Sequence, residues 1–222
     1  MEYIKTIVTN GGPSRDYLQT EYVMNIYRGC NHGCIYCYAR SNYYEKTDNF
    51  DNIRAKENAL QIIRDDLRRK VKPGVVLTGG VSDPYNPHEA EHKLTRNALE
   101  LLNAFDFGIC IITGILIDPV IPFITDTKEN VQELVKKAKH HGAKYAYIST
   151  LVTLADIQRS YFYQEVDKHF PKMSEKYSKR YKNGYRCYAP HGKKLWEVFV
   201  EACEKEGLMY NMRAVNYMIR NA

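Results

Sequence analysis

The sequence predicts an α/β protein with a mainly parallel sheet. Short apolar, β-branched runs alternate with segments of helical periodicity. Polar residues collect in the loops that leave the strand-like runs, the rim on which α/β folds build their sites. The 222 residues are 44% hydrophobic and 26% charged, enough for one full core or a core with a small appendage.

The elements follow in order. Residues 21–29, "EYVMNIYRG", are strand-like and run into a cysteine loop. "NIRAKENALQIIRDDLRRK" (52–70) repeats Ile53, Leu60, Ile63 and Leu67 at helical spacing, and Pro73-Gly74 punctuates it. "VVLTGG" (75–80) reads as a buried strand, followed by the polar loop "VSDPYNPHEAEH". A helix is expected over 93–105, a strand over 107–113 and another over 115–124 with a proline-rich exit. "DTKENVQELVKKAKHHG" (126–142) carries Val131, Leu134, Val135 and Ala138 on one face and a glycine stop, hence a helix. "AKYAYIST" (143–150) is the next strand. The rest reads mostly helical, including 193–207. The expected organisation is a core over 1–150 with a helical extension over 151–222 packed on it.

One join conflicts with this pattern. "FGICIITGILIDPVIPF" contains two strand-like runs with only Gly114 near the joint. Parallel neighbours need a crossover of about a dozen residues or more. Either the run is one bent strand or a crossover unit is missing.

No run of 18 apolar residues occurs, so no membrane-spanning helix is expected. The start, "MEYIKTIVTN", lacks the long apolar stretch of a signal peptide, which points to a cytoplasmic protein. The formal net charge of +6 is unevenly placed: Lys168 to Lys194 holds nine Lys or Arg residues against one acid, Glu175. Tyr177, Tyr181, Tyr185 and Tyr188 are interleaved there, a mixture suited to nucleic acid and equally to a solvated cap over a core.

Six cysteines are present, three of them within eight residues: Cys30, Cys34 and Cys37 in "CNHGCIYC". A reducing compartment disfavours a disulfide framework. A structural zinc site needs four ligands. His32 lies between two of the cysteines and would have to fold back, and no further C-x2-C pair is near. Three thiolates instead suit a four-iron cluster with one iron open to an exogenous ligand. Gly29 and Gly33 allow the unusual dihedrals such a loop needs, and Arg28 and Arg40 offset thiolate charge. Of the scattered thiols, Cys110 and Cys203 read as core. Cys187, in the basic and aromatic "GYRCYAP", is the better candidate for a hydrogen donor.

The spacing C-x3-C-x2-C, with aromatic Tyr36 before the last cysteine, resembles the signature of the radical S-adenosylmethionine (SAM) superfamily. "YRGCNHGCIYCYAR", "SDPYNPHEAEHKLTR" and the stretch from Asp118 through "KHHGAKYAYIS" are similar to its spore photoproduct lyase-like branch. So are the closing segments "YFYQEVDKHFP" and "KKLWEVFVEACEKEG". The resemblance implies a 4Fe–4S cluster on Cys30, Cys34 and Cys37 and SAM on the open iron. It also implies a reducing partner of flavodoxin or ferredoxin type. Tyr36 matches the aromatic beside the adenine. Gly79 and Gly80 match the backbone that meets the SAM amino group. Val81 and Ser82 stand where many members have glutamate, so Ser82 and Asp83 are expected to replace that polar role. Asp83 has an equally good reading as a turn cap. Thr113 ends the third strand on the same rim, and the Asp118–Pro122 stretch matches the region flanking adenine. His32 and His88 read as exposed, and Lys93 and Arg96 as partners of Glu89 or Glu100.

The branch resembles a partial (β/α)6 barrel. Against it the chain is shortened: the third helix, fourth strand and fourth helix are absent near residues 113–114. A naturally short homologue, an oligomer or partner that completes the sheet, and an internal loss of sequence all fit. The two functions expected are a radical SAM enzyme on an unidentified substrate, nucleic acid among the candidates, and a nucleic-acid-binding protein with a structural or redox cluster.

Overall fold

The computed structural model describes residues 4–11, 20–42, 50–70, 72–110 and 115–220. The chain divides into two compact units: residues 1–33, 43–111 and 219–222 form unit 1, and residues 34–42 and 112–218 form unit 2.

Unit 1 is built on a four-stranded sheet of order β1-β2-β5-β6: β1 (Val8–Asn10), β2 (Tyr22–Met24), β5 (Val75–Thr78) and β6 (Gly108–Cys110). β2–β5 and β5–β6 are parallel, with Tyr22 opposite Val76 and Val75 opposite Gly108, while β1 adds antiparallel to β2. A short ladder pairs β3 (Tyr27–Arg28) with β4 (Arg54–Ala55). Helices α1 (Ala59–Arg69), α2 (Glu89–His92) and α3 (Leu94–Ala104) complete the unit. Ile63 and Leu67 of α1 and Ala98 and Leu102 of α3 share one core with Val8, Met24 and Val76. Full burial of each large aliphatic chain is worth about 1.5–3 kcal/mol.

The helix expected from residue 52 begins only at Ala59. Arg54 and Ala55 are taken by the ladder with β3, and Asn58 turns the chain in a left-handed conformation, φ 53°. At the other end of the helix lies a polar staple. Asp66 is 3% exposed, and its carboxylate accepts the N–H groups of Ile7 (2.7 Å) and Val8 (2.9 Å) and the Thr6 hydroxyl (3.0 Å). Arg69 adds an ion pair at 2.5 Å. Burial pushes this carboxyl up. The two N–H groups, Arg69 and Thr6 together outweigh it and hold the group below its ordinary value.

Unit 2 carries the parallel pair β7 (Ile115–Ile117) and β8 (Ala146–Ile148) and the antiparallel pair β9 (Leu151–Thr153) and β10 (Arg186–Tyr188). Its helices are α4 (Lys128–His140), α5 (Asp156–His169), α6 (Met173–Tyr181), α7 (Gly192–Glu206) and most of α8 (Met212–Arg220). Val131 and Val135 of α4 meet Phe199 and Cys203 of α7 over Ile117 and Ile148. Thr127 caps α4 by accepting the Asn130 N–H at 3.2 Å, and Gly207, φ 64°, ends α7. Burial pushes the Cys203 thiol up to about 12, as a core residue should show. Trp196, one turn into α7, keeps 45% of its surface exposed.

The two runs around Gly114 are separate strands, β6 and β7, in different sheets. The joint itself lies outside the described residues. The strand expected over 115–124 stops at Ile117. The Asp118–Pro119 bond is cis, and Pro119 and Pro122 have no N–H to continue a ladder. Among the described residues the strands form no closed barrel, and no helix is long and apolar enough to cross a membrane.

Candidate functional site

In unit 1 the cysteine segment is pinned at its start. Gly29 has φ 78°, and a Cβ there would lie 2.6 Å from the Phe50 carbonyl oxygen, so only glycine fits. The next residue, Cys30, donates its N–H to that same carbonyl at 2.9 Å. His32 follows, and its Nε2 stands 2.8 Å from Asp83 Oδ2.

The loop after β5 is held from within. Gly79 has φ 80°, and a Cβ would fall 2.6 Å from Pro84 Cδ, whereas a Cβ on Gly80 would meet open space. The Val81 N–H reaches Asn25 Oδ1 at 3.1 Å. Ser82 is 4% exposed and donates its hydroxyl to the Tyr27 carbonyl at 2.8 Å. Asp83 Oδ1 accepts the Tyr85 N–H at 2.7 Å, the turn-cap role weighed from sequence. Ser82 and Asp83 therefore have structural partners where a polar cofactor contact was expected.

Glu89 is a residue that sequence reasoning set aside. Its carboxylate accepts the Thr95 N–H (3.0 Å) and the Arg96 N–H (3.1 Å) at the start of α3, and the Tyr27 hydroxyl at 2.5 Å. Burial raises this carboxyl, but the three donors hold it below its ordinary value. The expected partnership of Glu89 with Arg96 exists, through the backbone; the guanidinium pairs with Glu100 at 3.3 Å.

Unit 2 holds Cys34 and Cys37. The Cys37 N–H closes a turn on the Cys34 carbonyl at 3.1 Å, and a 3-10 turn over Tyr38–Arg40 follows. Arg40 is 8% exposed, with its guanidinium 4.3 Å from the centre of the Tyr161 ring. The carbonyl of Tyr36 accepts Gln158 Nε2 at 3.3 Å. Burial pushes the Tyr36 phenol up to about 12, helped by the charge and hydrogen bond of Cys34 and the charges of Cys37 and Asp118. Asp118 sits just past β7. Surrounding protein raises its carboxyl, against a hydrogen bond from Ser149. Tyr36, Cys34, Cys37 and Asp118 thus form one electrostatic neighbourhood within unit 2.

Cys187 lies on β10 and is fully buried among Val152, Phe162 and Tyr177. Its thiol donates to the Gly184 carbonyl at 3.7 Å, and burial raises its pKa, partly offset by Arg159. The four interleaved tyrosines divide. Tyr177 is core, its hydroxyl bonded to the Pro122 carbonyl at 2.9 Å, and Tyr181 is half-buried. Tyr185 and Tyr188 are exposed at 55% and 51%, flanking exposed Arg186. Thr113 lies outside the described residues.

Three cysteines at this spacing are the donor type that an iron–sulfur cluster takes. Cys30, Cys34 and Cys37 are outside any disulfide, none is fully buried, and His32 is engaged by Asp83. Among the described residues no three His, Cys, Asp or Glu side chains stand together as a ready site for a metal ion.

The sequence profile of the radical SAM superfamily matches residues 24–150. The chain belongs to the radical SAM superfamily. It is 30% identical over 129 residues to uncharacterised proteins of Mycobacterium tuberculosis and Mycobacterium bovis, covering 55% of this chain and 38% of theirs. It is 38% identical over 84 residues to an uncharacterised protein of Methanocaldococcus jannaschii, covering 36% of this chain and 30% of that one. The aligned stretch spans well under half the length of these relatives. No solved structure matches the chain. Within the superfamily domain fall Cys30, Cys34 and Cys37, the Gly79–Asp83 loop, and Asp118.

Proposed function

We propose that this radical SAM protein is an enzyme that binds a 4Fe–4S cluster through Cys30, Cys34 and Cys37. The observation that carries the reading is the C-x3-C-x2-C spacing of three cysteines inside the superfamily domain. Chain connectivity supports it, since four residues reach at most about 14 Å. The engagement of His32 with Asp83 supports three-ligand rather than four-ligand chemistry. When bound, such a cluster offers an open iron to SAM and supplies the electron that cleaves it to methionine and a 5′-deoxyadenosyl radical, which abstracts hydrogen from substrate.

The chain's own residues have defined tasks in this reading. Gly80, open where a side chain would project, presents backbone to the SAM amino group, while Gly79 shapes the turn. Tyr36 lies by the adenine, its ring half-buried within unit 2. Asp118, whose carboxyl is raised, flanks the same base. Cys187 is the proposed donor to a substrate radical, its thiol reached when the packing of Val152, Phe162 and Tyr177 opens. The reductant is a flavodoxin- or ferredoxin-type carrier, and the branch is the spore photoproduct lyase-like one. In this reading the protein is cytoplasmic, and a partner copy completes the shortened sheet.

A second reading rests on Tyr185, Arg186 and Tyr188, an exposed aromatic–cation–aromatic run on and beside β10. Such a surface suits stacking of nucleic-acid bases, with the cluster as a structural or redox element. Anaerobic reconstitution with iron and sulfide, then SAM and dithionite, separates the two. The enzyme reading expects a cluster spectrum that shifts with SAM and 5′-deoxyadenosine as product. A cluster indifferent to SAM rejects it.

A further inference from the structure

Unit 1 contains a cavity of about 660 Å³ lined by Tyr27, Ile53, Leu60, Gln61, His88 and His92, among others. His88 and His92 sit at either end of the single turn α2. Their rings lie near-parallel at 11°, with centres 6.1 Å apart. The turn is fixed: the His92 N–H bonds to the His88 carbonyl at 2.9 Å. The His88 N–H bonds to Oδ1 of buried Asn86 at 3.0 Å, and Asn86 Nδ2 holds the Asp83 carbonyl at 3.1 Å.

We propose that His88 and His92 form a two-imidazole site for a borderline divalent metal ion of the Zn²⁺, Co²⁺ or Ni²⁺ class, opening on this cavity. Imidazole nitrogen prefers such ions, whereas Mg²⁺ and Ca²⁺ prefer oxygen. With metal–nitrogen bonds of about 2.0–2.1 Å, two ligated imidazoles have ring centres roughly 5 Å apart at a tetrahedral angle and roughly 6 Å apart when linear. The rings are stacked at 6.1 Å, wider than the tetrahedral value, so ligation requires both to turn. Both side chains are exposed, so rotation about their side-chain bonds can aim the nitrogens without disturbing the core. Among the described residues no third His, Cys, Asp or Glu completes the set. The remaining positions face water or a small ligand in the cavity.

The order His88-Glu89-x-x-His92 matches the zinc-peptidase pattern, in which the glutamate acts as general base. Here the structure argues against peptidase chemistry. The Glu89 carboxylate is consumed by Tyr27, Thr95 and Arg96, and α2 is one turn long. The site binds a metal and does not hydrolyse peptides.

The test is anaerobic Co²⁺ titration of protein whose cysteines have been alkylated, so that neither a cluster nor the thiols compete. We expect one Co²⁺ per chain, with d–d absorption and no sulfur-to-cobalt charge-transfer band. His88→Ala and His92→Ala should each weaken binding tenfold or more, while His140→Ala should not. Unchanged circular dichroism will show that the variants fold. Equal binding by wild type and both variants, or no saturable binding, overturns the proposal. Because the cysteines are blocked, this result is independent of whether the cluster assembles.

Discussion

His32 Nε2 and Asp83 Oδ2 lie 2.8 Å apart, joining the cysteine segment to the loop after β5 within unit 1. The contact gives His32 a protein partner and uses one carboxylate oxygen of Asp83, while Tyr85 uses the other. His32→Ala should therefore leave cluster content unchanged. Cys30→Ala, Cys34→Ala and Cys37→Ala should each abolish it. Iron and sulfide analysis of reconstituted protein checks this, and loss of cluster in His32→Ala would make the histidine a ligand.

The two glycines after β5 separate folding from cofactor contact. Gly79→Ala forces a Cβ to 2.6 Å from Pro84 at φ 80° and should cost about 1–3 kcal/mol, read by denaturant unfolding. Gly80→Ala meets open space and should leave stability within about 0.5 kcal/mol while weakening SAM binding in the reconstituted protein. Equal destabilisation by both would place Gly80 in the same structural role.

The alternation of β-branched runs and amphipathic helices made α1, α3, α4 and α7 readable, because the stripe that packs is the stripe that repeats. Ile63, Leu67, Val131 and Val135 all face cores as their spacing requires. Superfamily membership was legible because the C-x3-C-x2-C spacing lies within eight residues. Contacts between distant positions were not. Nothing local announces that Ser82 bonds the Tyr27 carbonyl, that Glu89 caps α3, or that Tyr177 is core while Tyr188 is exposed. The early end of the strand after Ile117 had a local signal in Pro119 and Pro122.

Cys187 and Cys34 should differ sharply toward alkylation in cluster-free protein. Burial raises the Cys187 thiol and hides it, while Cys34 is exposed. Iodoacetamide at neutral pH should modify Cys34 quickly and Cys187 only on unfolding, as read by peptide mass spectrometry. Rapid native-state labelling of Cys187 would contradict the burial seen on β10. If Cys187 donates hydrogen, Cys187→Ala should still cleave SAM but divert the substrate radical to side products.

Tyr188 and Tyr177 provide a paired test of the β10 surface. Tyr188→Ala and Arg186→Ala should leave stability nearly unchanged and weaken single-stranded oligonucleotide binding, by about 1–3 kcal/mol for the stacking residue. Tyr177→Phe should do the reverse. It leaves the Pro122 carbonyl without its donor, at about 1–2 kcal/mol, and spares binding. Fluorescence anisotropy and thermal melts distinguish them. If Tyr188→Ala binds as wild type does, the exposed tyrosines are not a stacking platform.

Asp66 makes unit 1 acid-sensitive in a defined direction. Its folded pKa is held below the ordinary carboxylate value, so its contribution is fully present above that ordinary value. As pH falls through the folded pKa the carboxylate is protonated, and the bonds to Ile7, Val8, Thr6 and Arg69 lose their charged acceptor. Asp66→Asn should cost about 2 kcal/mol at pH 7 and flatten the acid limb of the stability profile below about pH 4. Urea unfolding across that range reads both effects. A variant as stable as wild type at pH 7, with the same acid limb, would show that β1 is held to α1 by apolar packing alone.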